Sequence, residues 1–194
     1  YEPIISLIAP TKIQVATFLG KYKPTKKTAV DFEIGISNND KNLFSSLDDG
    51  NNKGLAGKVN AKQRLFTKKW SMDAFTNYQF IQRDFRSVER LYTIEFDRDW
   101  NIGTAGIGNQ SLLVSGLELQ LNPKPNTFNK GLLLYQFEKL DFSDNFSGNR
   151  HILNGRFQLK NWIFNSQGSV LKSDGSTMSS QFIRNQSQIR FHFD

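Results

Sequence analysis

From Ala29 to Ser37 the chain alternates without a break. Val30, Phe32, Ile34 and Ile36 fall on one side, and Ala29, Asp31, Glu33, Gly35 and Ser37 on the other. Successive side chains of a strand point to opposite faces, so a period of two this strict specifies a β-strand with one greasy and one polar face. The pattern recurs along the chain. Leu55, Val59, Ala61 and Leu65 oppose Lys58, Asn60, Lys62 and Arg64, and Leu113, Leu117, Leu119 and Leu121 oppose Glu118, Gln120 and Asn122. Leu133, Tyr135 and Phe137 oppose Gln136 and Glu138, while Leu153, Phe157 and Leu159 oppose Asn154, Arg156, Gln158 and Lys160. At the end, Ile189, Phe191 and Phe193 oppose Gln188, Arg190 and His192. Weaker strands over 12–22, 70–82 and 162–173 bring the count to nine. Each is roughly ten residues or a little more, the length a tilted strand needs to cross a bilayer. In 70–85, Trp70, Ala74, Tyr78, Ile81 and Phe85 also share one helical face, so a helix stands as the alternative there.

The connections alternate between two types. Residues 23–27, 67–69, 122–130 and 160–161 are mostly short and carry Lys; residues 38–53, 83–108, 143–149 and 173–179 are mostly longer and rich in Asp, Asn, Ser and Gly. In an up-and-down meander, alternate connections lie at opposite ends of the sheet. One end is therefore expected to be tight and basic, and the other to carry long polar loops. Outer-membrane barrels have this asymmetry, with short periplasmic turns and longer external loops. The polar face fits a wet interior. Asp31, Glu33, Lys58, Lys62, Arg64, Asp73, Glu118, Glu138, Arg156 and Lys160 would line it, with opposite charges free to pair.

The 194 residues suffice for one domain, 1–194, with no reason to split it. Aromatics make up 13%, including 17 Phe, which is too apolar for a disordered chain. There is no cysteine, which excludes a disulfide scaffold and a thiolate metal site. The longest apolar run, Leu132–Tyr135, is too short for a transmembrane helix. Tyr1–Pro10 is too short, and lacks the basic leader, for a signal peptide. The start at Tyr1 and the stop at Asp194 are read as those of a piece of a longer polypeptide. Nine is an odd number, whereas bacterial single-chain barrels are even. Either Ile4–Ala9 adds a tenth strand or, the favoured reading, the piece belongs to a larger barrel.

Three stretches, SNNDKNLFSSLDDGNNKGLAGK (37–58), VERLYTIEFDRDWN (88–101) and NRHILNGRFQLKNW (149–162), give the chain a family likeness. It resembles large, mostly uncharacterised outer-membrane β-barrel proteins of the Bacteroidetes group, with FDRDWN the most distinctive block. The resemblance implies an outer-membrane location and a barrel. It supplies no activity and no catalytic residue.

Residues 83–99 concentrate charge in Arg83, Arg86, Glu89, Arg90, Glu95, Asp97, Arg98 and Asp99, together with Asp84. In extended chain Glu95, Asp97 and Asp99 share a face, the arrangement a paired-carboxylate glycosidase would use. The favoured reading is a salt-bridged loop rim, because arginines and acids nearly balance. Asn38, Asp40, Asn42 and Asp49 loosely echo a calcium loop, but Leu43 stands where the sharp turn needs Gly and Asp49 where a bidentate Glu belongs. No metal site is expected. His151 and His192 lie on strands with no carboxylate beside them, as packed or lumen residues do. No GxSxG, HExxH or P-loop pattern occurs, and Gly103, Gly106 and Gly108 do not sit between a strand and a helix as a phosphate cradle requires. Trp70, Trp100 and Trp162, with Tyr22, Tyr78 and Tyr92, fall near strand ends, where barrels place interfacial girdles; a sugar-stacking platform is the alternative. Net charge is +7, yet the basic residues are interleaved with acids or set in turns, so nucleic-acid binding is not expected.

The expected fold is therefore all-β: an antiparallel up-and-down meander of about nine to ten strands, forming an outer-membrane β-barrel or a segment of a larger one. The expected role is structural, in transport or in surface interaction, without catalysis or a cofactor. The expected partners are the lipid bilayer and other outer-membrane proteins or glycan. The alternative is a soluble secreted β-sandwich that binds glycan or protein, with a glycosidase using the 95–99 acids a distant third.

Overall fold

The computed structural model describes residues 9–47, 49–103, 108–121, 129–143, 145–176 and 178–193. Nine strands follow one another: β1 Lys12–Thr25, β2 Thr28–Asp40, β3 Lys53–Thr67, β4 Trp70–Ile81, β5 Gln110–Leu121, β6 Lys130–Phe142, β7 Phe146–Leu159, β8 Trp162–Gly175 and β9 Ser179–Phe191. A 3-10 turn, Asp49–Asn51, precedes β3, and a single helical turn, α1 Phe96–Trp100, lies between β4 and β5. Every strand pairs antiparallel with its neighbours in sequence, in the order β1 to β9, to make one sheet. The all-β meander is as the alternation predicts. The sheet is not closed: β1 and β9 are its edges. With nine strands these two edges run in the same direction, so joining them directly would require a parallel seam. The expected extra strand over Ile4–Ala9 falls mainly on residues 4–8, outside the described residues.

Residues 70–81 form a strand and not a helix. β4 is paired without interruption from Trp70↔Leu121 to Ile81↔Gln110, and on its other side with β3. Ladders on both edges outweigh the local helical spacing. The strands also run further than the alternation alone marks. Asn38, Asn39 and Asp40 still pair with β1, and β7 begins at Phe146, so the loops of 38–53 and 143–149 shrink to 41–52 and 143–145. Lys160, expected on the polar face, instead occupies the β7–β8 turn with a φ of 51°.

Residues directly opposite each other across a ladder share a face, so the registers sort every side chain. One face carries Phe18, Phe32, Ile34, Val59, Tyr78 and Leu113, continuing into Leu133, Leu153, Phe164 and Ile189. No second sheet covers it among the described residues. Phe18 is 65% exposed, Ile36 56%, Trp162 54% and Ile183 71%. The other face carries Asp31, Glu33, Lys58, Asn60, Lys62, Arg64, Asp73, Glu118, Glu138 and Arg156. Among the described residues nothing buries a core between two layers. The main buried cluster is confined to one end of the polar face, where Trp100 and Ile102 pack on Leu140, Phe142, Phe146 and Leu171.

The two ends differ as expected. Tight turns at 26–27, 68–69 and 160–161 lie at one end; loops 41–52, 82–109, 143–145 and 176–178 lie at the other. Most of the expected connection 122–130, residues 122–128, lies outside the described residues.

Candidate functional site

The candidate site is the polar face together with the segment that crosses it. Cross-strand pairing brings charges from different strands into register, and they neutralise one another in clusters. Asp73 of β4 binds Arg64 and Lys62 of β3; Lys62 Nζ lies 3.0 Å from Asp73 Oδ2, and Arg64 Nη2 donates to the same oxygen at 3.0 Å. Glu118 stands directly opposite Asp73, a like-charge pairing that would destabilise the ladder without those two cations. On β6, Glu138 accepts from Arg150 Nε of β7 at 2.6 Å and from Gln136. Asn60 Nδ2 donates to Asp31 Oδ2 at 2.7 Å, and Asn77 donates in turn to Asn60. Alternation puts these groups on one face, and the registers alone decide who meets whom.

Residues 82–103 form a strap across the loop end of this face. At one side the N–H of Arg86 donates to Ser37 Oγ of β2 at 2.9 Å, and Phe85 lies over Gly54 and Gly35. At the other, Asn101 Nδ2 donates to Ser180 Oγ of β9 at 3.0 Å. Between them Trp100, 1% exposed, packs on Gly148 with the Arg150 guanidinium 4.5 Å above its ring. Tyr92 stacks on Phe96 with ring centroids 4.0 Å apart. Burial pushes the Tyr92 phenol up to about 12, and its hydroxyl has no hydrogen-bond partner among the described residues. Beneath the strap lies a cavity of about 540 Å³, bordered by Arg83, Arg90, Tyr92 and Gln110 among others.

The charge network expected over 83–99 is largely absent. Only Arg83 pairs with Asp84, at 3.4 Å, and Arg98 with Glu95, at 2.8 Å, both at the surface. Arg86 donates to the carbonyls of Arg83 and Phe85. Glu89, Arg90, Asp97 and Asp99 make no ion pair among the described residues. Apolar anchors hold the strap, which is why counting charges misled. Glu95, Asp97 and Asp99 do not share an extended face either, because α1 winds them into a helical turn in which the N–H of Asp99 donates to the carbonyl of Glu95.

The aromatics divide. Trp70 and Trp162 open β4 and β8 on the apolar face at the tight-turn end, where Trp162 meets Phe191 at 4.7 Å. Tyr22 lies on the same face, and Tyr78 sits on it nearer the loop end. Trp100 is the correction: it is buried in the strap and belongs to no exposed rim.

Asp40 and Asn42 accept from the N–H groups of Asn42 and Phe44, and Asp49 accepts from Asn52 Nδ2, so these side chains shape the loop locally. Among the described residues no group of three His, Asp or Glu side chains converges as a metal site. His151 lies on the apolar face with Nδ1 2.9 Å from the Tyr135 hydroxyl, and His192 follows β9, its N–H donating to the Asn161 carbonyl. Gly106 lies outside the described residues.

Sequence reasoning missed Arg150 and misplaced Trp100. The first had a signal, since a hairpin centred on 144 puts residue 150 across from Glu138. Comparison with known protein families, with curated proteins and with solved structures gives no match.

Proposed function

We propose that this chain is a stretch of wall from an outer-membrane β-barrel, with a structural or transport role and no chemistry of its own. One observation carries the reading: nine consecutive strands put most of their large apolar side chains on one face, uncovered among the described residues, and most of their ion pairs on the other. Soluble monomers seldom leave an apolar face that runs across a whole sheet uncovered, and a bilayer is the solvent that matches it. Strands of 12 to 15 residues are long enough to cross at a tilt. The open edges at β1 and β9 fit a segment of a larger barrel, whose remaining strands would satisfy the backbone groups that lipid cannot. The likeness of the 37–58, 88–101 and 149–162 stretches to Bacteroidetes outer-membrane barrel proteins agrees with this location. The loops 41–52, 82–109, 143–145 and 176–178 would face outward, toward glycan or other surface proteins.

The absence of native cysteine makes a direct test simple. Single cysteines placed in turn at 30–37 are spin-labelled in reconstituted vesicles and probed with a lipid-soluble and a water-soluble relaxant. Positions 30, 32, 34 and 36 should respond to the lipid-soluble agent, and 31, 33, 35 and 37 should not. Uniform protection of the even positions from both agents would mean a second sheet covers them, and would replace the wall with a soluble sandwich.

A further inference from the structure

We infer that the polar face of β7–β9 binds a hydroxyl-rich anionic solute with the chemistry of a short acidic saccharide; this rests on reading that face as a lumen wall. Two rows of side chains cross the three strands side by side. One is Asn154, Gln167 and Gln186, and the other is Arg156, Asn165 and Gln188. With Leu132 of β6 they line an open cavity of about 340 Å³. Among the described residues none of these six makes a side-chain hydrogen bond, and the amide oxygen of Asn154 is buried without a partner.

The rest of the polar face behaves differently. There Lys62 and Arg64 bind Asp73, Arg150 binds Glu138, and Asn60 bridges Asp31 and Asn77. Past Arg150, the cations that β7–β9 place on this face, Arg156, Arg184 and Arg190, make no ion pair among the described residues. Arg184 and Arg190 flank the two rows on β9, opposite Ser169 and Ile163. The sole carboxylate in the three strands, Asp174, points to the other face. Amides donate and accept at once, which matches neighbouring hydroxyls, and guanidinium groups form their strongest hydrogen bonds with oxyanions. The surface thus offers both halves of an acidic sugar's chemistry.

The test is equilibrium binding to the whole chain folded in detergent micelles, with trigalacturonate, galactotriose and inorganic sulfate as probes. Trigalacturonate should bind best. Arg156→Gln and Arg184→Gln should each weaken it roughly tenfold, the loss of one charge-assisted contact. Arg98→Gln, in the strap, should leave it unchanged. Equal binding of galactotriose, absence of trigalacturonate binding, or indifference to both variants would overturn the inference. So would inorganic sulfate binding as tightly as the trimer, since the amide rows would then add nothing. Lipid quenching of Trp162 in vesicles separates the two readings: quenching without saccharide binding removes the solute site and keeps the wall, whereas no quenching removes the wall.

Discussion

At the scale of single residues, Trp100 is the side chain on which the strap depends. Its indole fills the space over Gly148, packs with Leu140 and Phe142, and receives the Arg150 guanidinium on its ring. Trp100→Ala should therefore cost about 3–5 kcal/mol, the usual range for emptying a buried aromatic site, as read by denaturant unfolding. Replacing Glu95, Asp97 and Asp99 together by their amides removes one exposed ion pair, to Arg98, and should change stability by no more than about 1 kcal/mol. The opposite ranking would mean that charge holds the strap. The density of charge over 83–99 was plain in the sequence and pointed the wrong way. The contacts that matter come from β6, β7 and β8, far along the chain, and no local pattern discloses them. The Glu138–Arg150 pair, by contrast, could be counted out from the centre of its hairpin.

At the scale of elements, the strands were legible and the strap was not. Period two shows wherever one face is apolar and the other polar, so β2, β3, β5, β7 and β9 stand out. It weakens in β1, β4 and β8; in β1, Ile13, Val15 and Leu19 lie on the polar face and blur the contrast with Phe18. Residues 82–109 have no period, because their anchors answer to the sheet beneath. Gly54 marks where the strap comes closest. A Cβ there would lie 2.1 Å from the backbone nitrogen of Phe85, a clash that no rotamer relieves. Gly54→Ala should lift this side of the strap at a cost of about 1–3 kcal/mol, in the range of core overpacking. Hydrogen exchange should quicken at residues 83–103 while β5 to β8 keep their protection. Unchanged exchange in the strap would show that Phe85 is not seated on β3.

At the scale of the whole molecule, a nine-stranded sheet with two unlike faces needs two unlike surroundings. The polar face largely supplies its own, through ion pairs and the strap. Among the described residues nothing covers the apolar face. The alternation made this amphipathicity readable from the sequence, and the two kinds of connection made its polarity readable; the odd strand count already pointed to a sheet that does not close on itself. Tryptophan fluorescence in vesicles containing brominated lipid tests the account most directly. Variants keeping one tryptophan each, with Phe at the other two positions, report on Trp162 on the apolar face and Trp100 beneath the strap. Trp162 should be strongly quenched and Trp100 little. Equal quenching of the two, or none at Trp162, would contradict it.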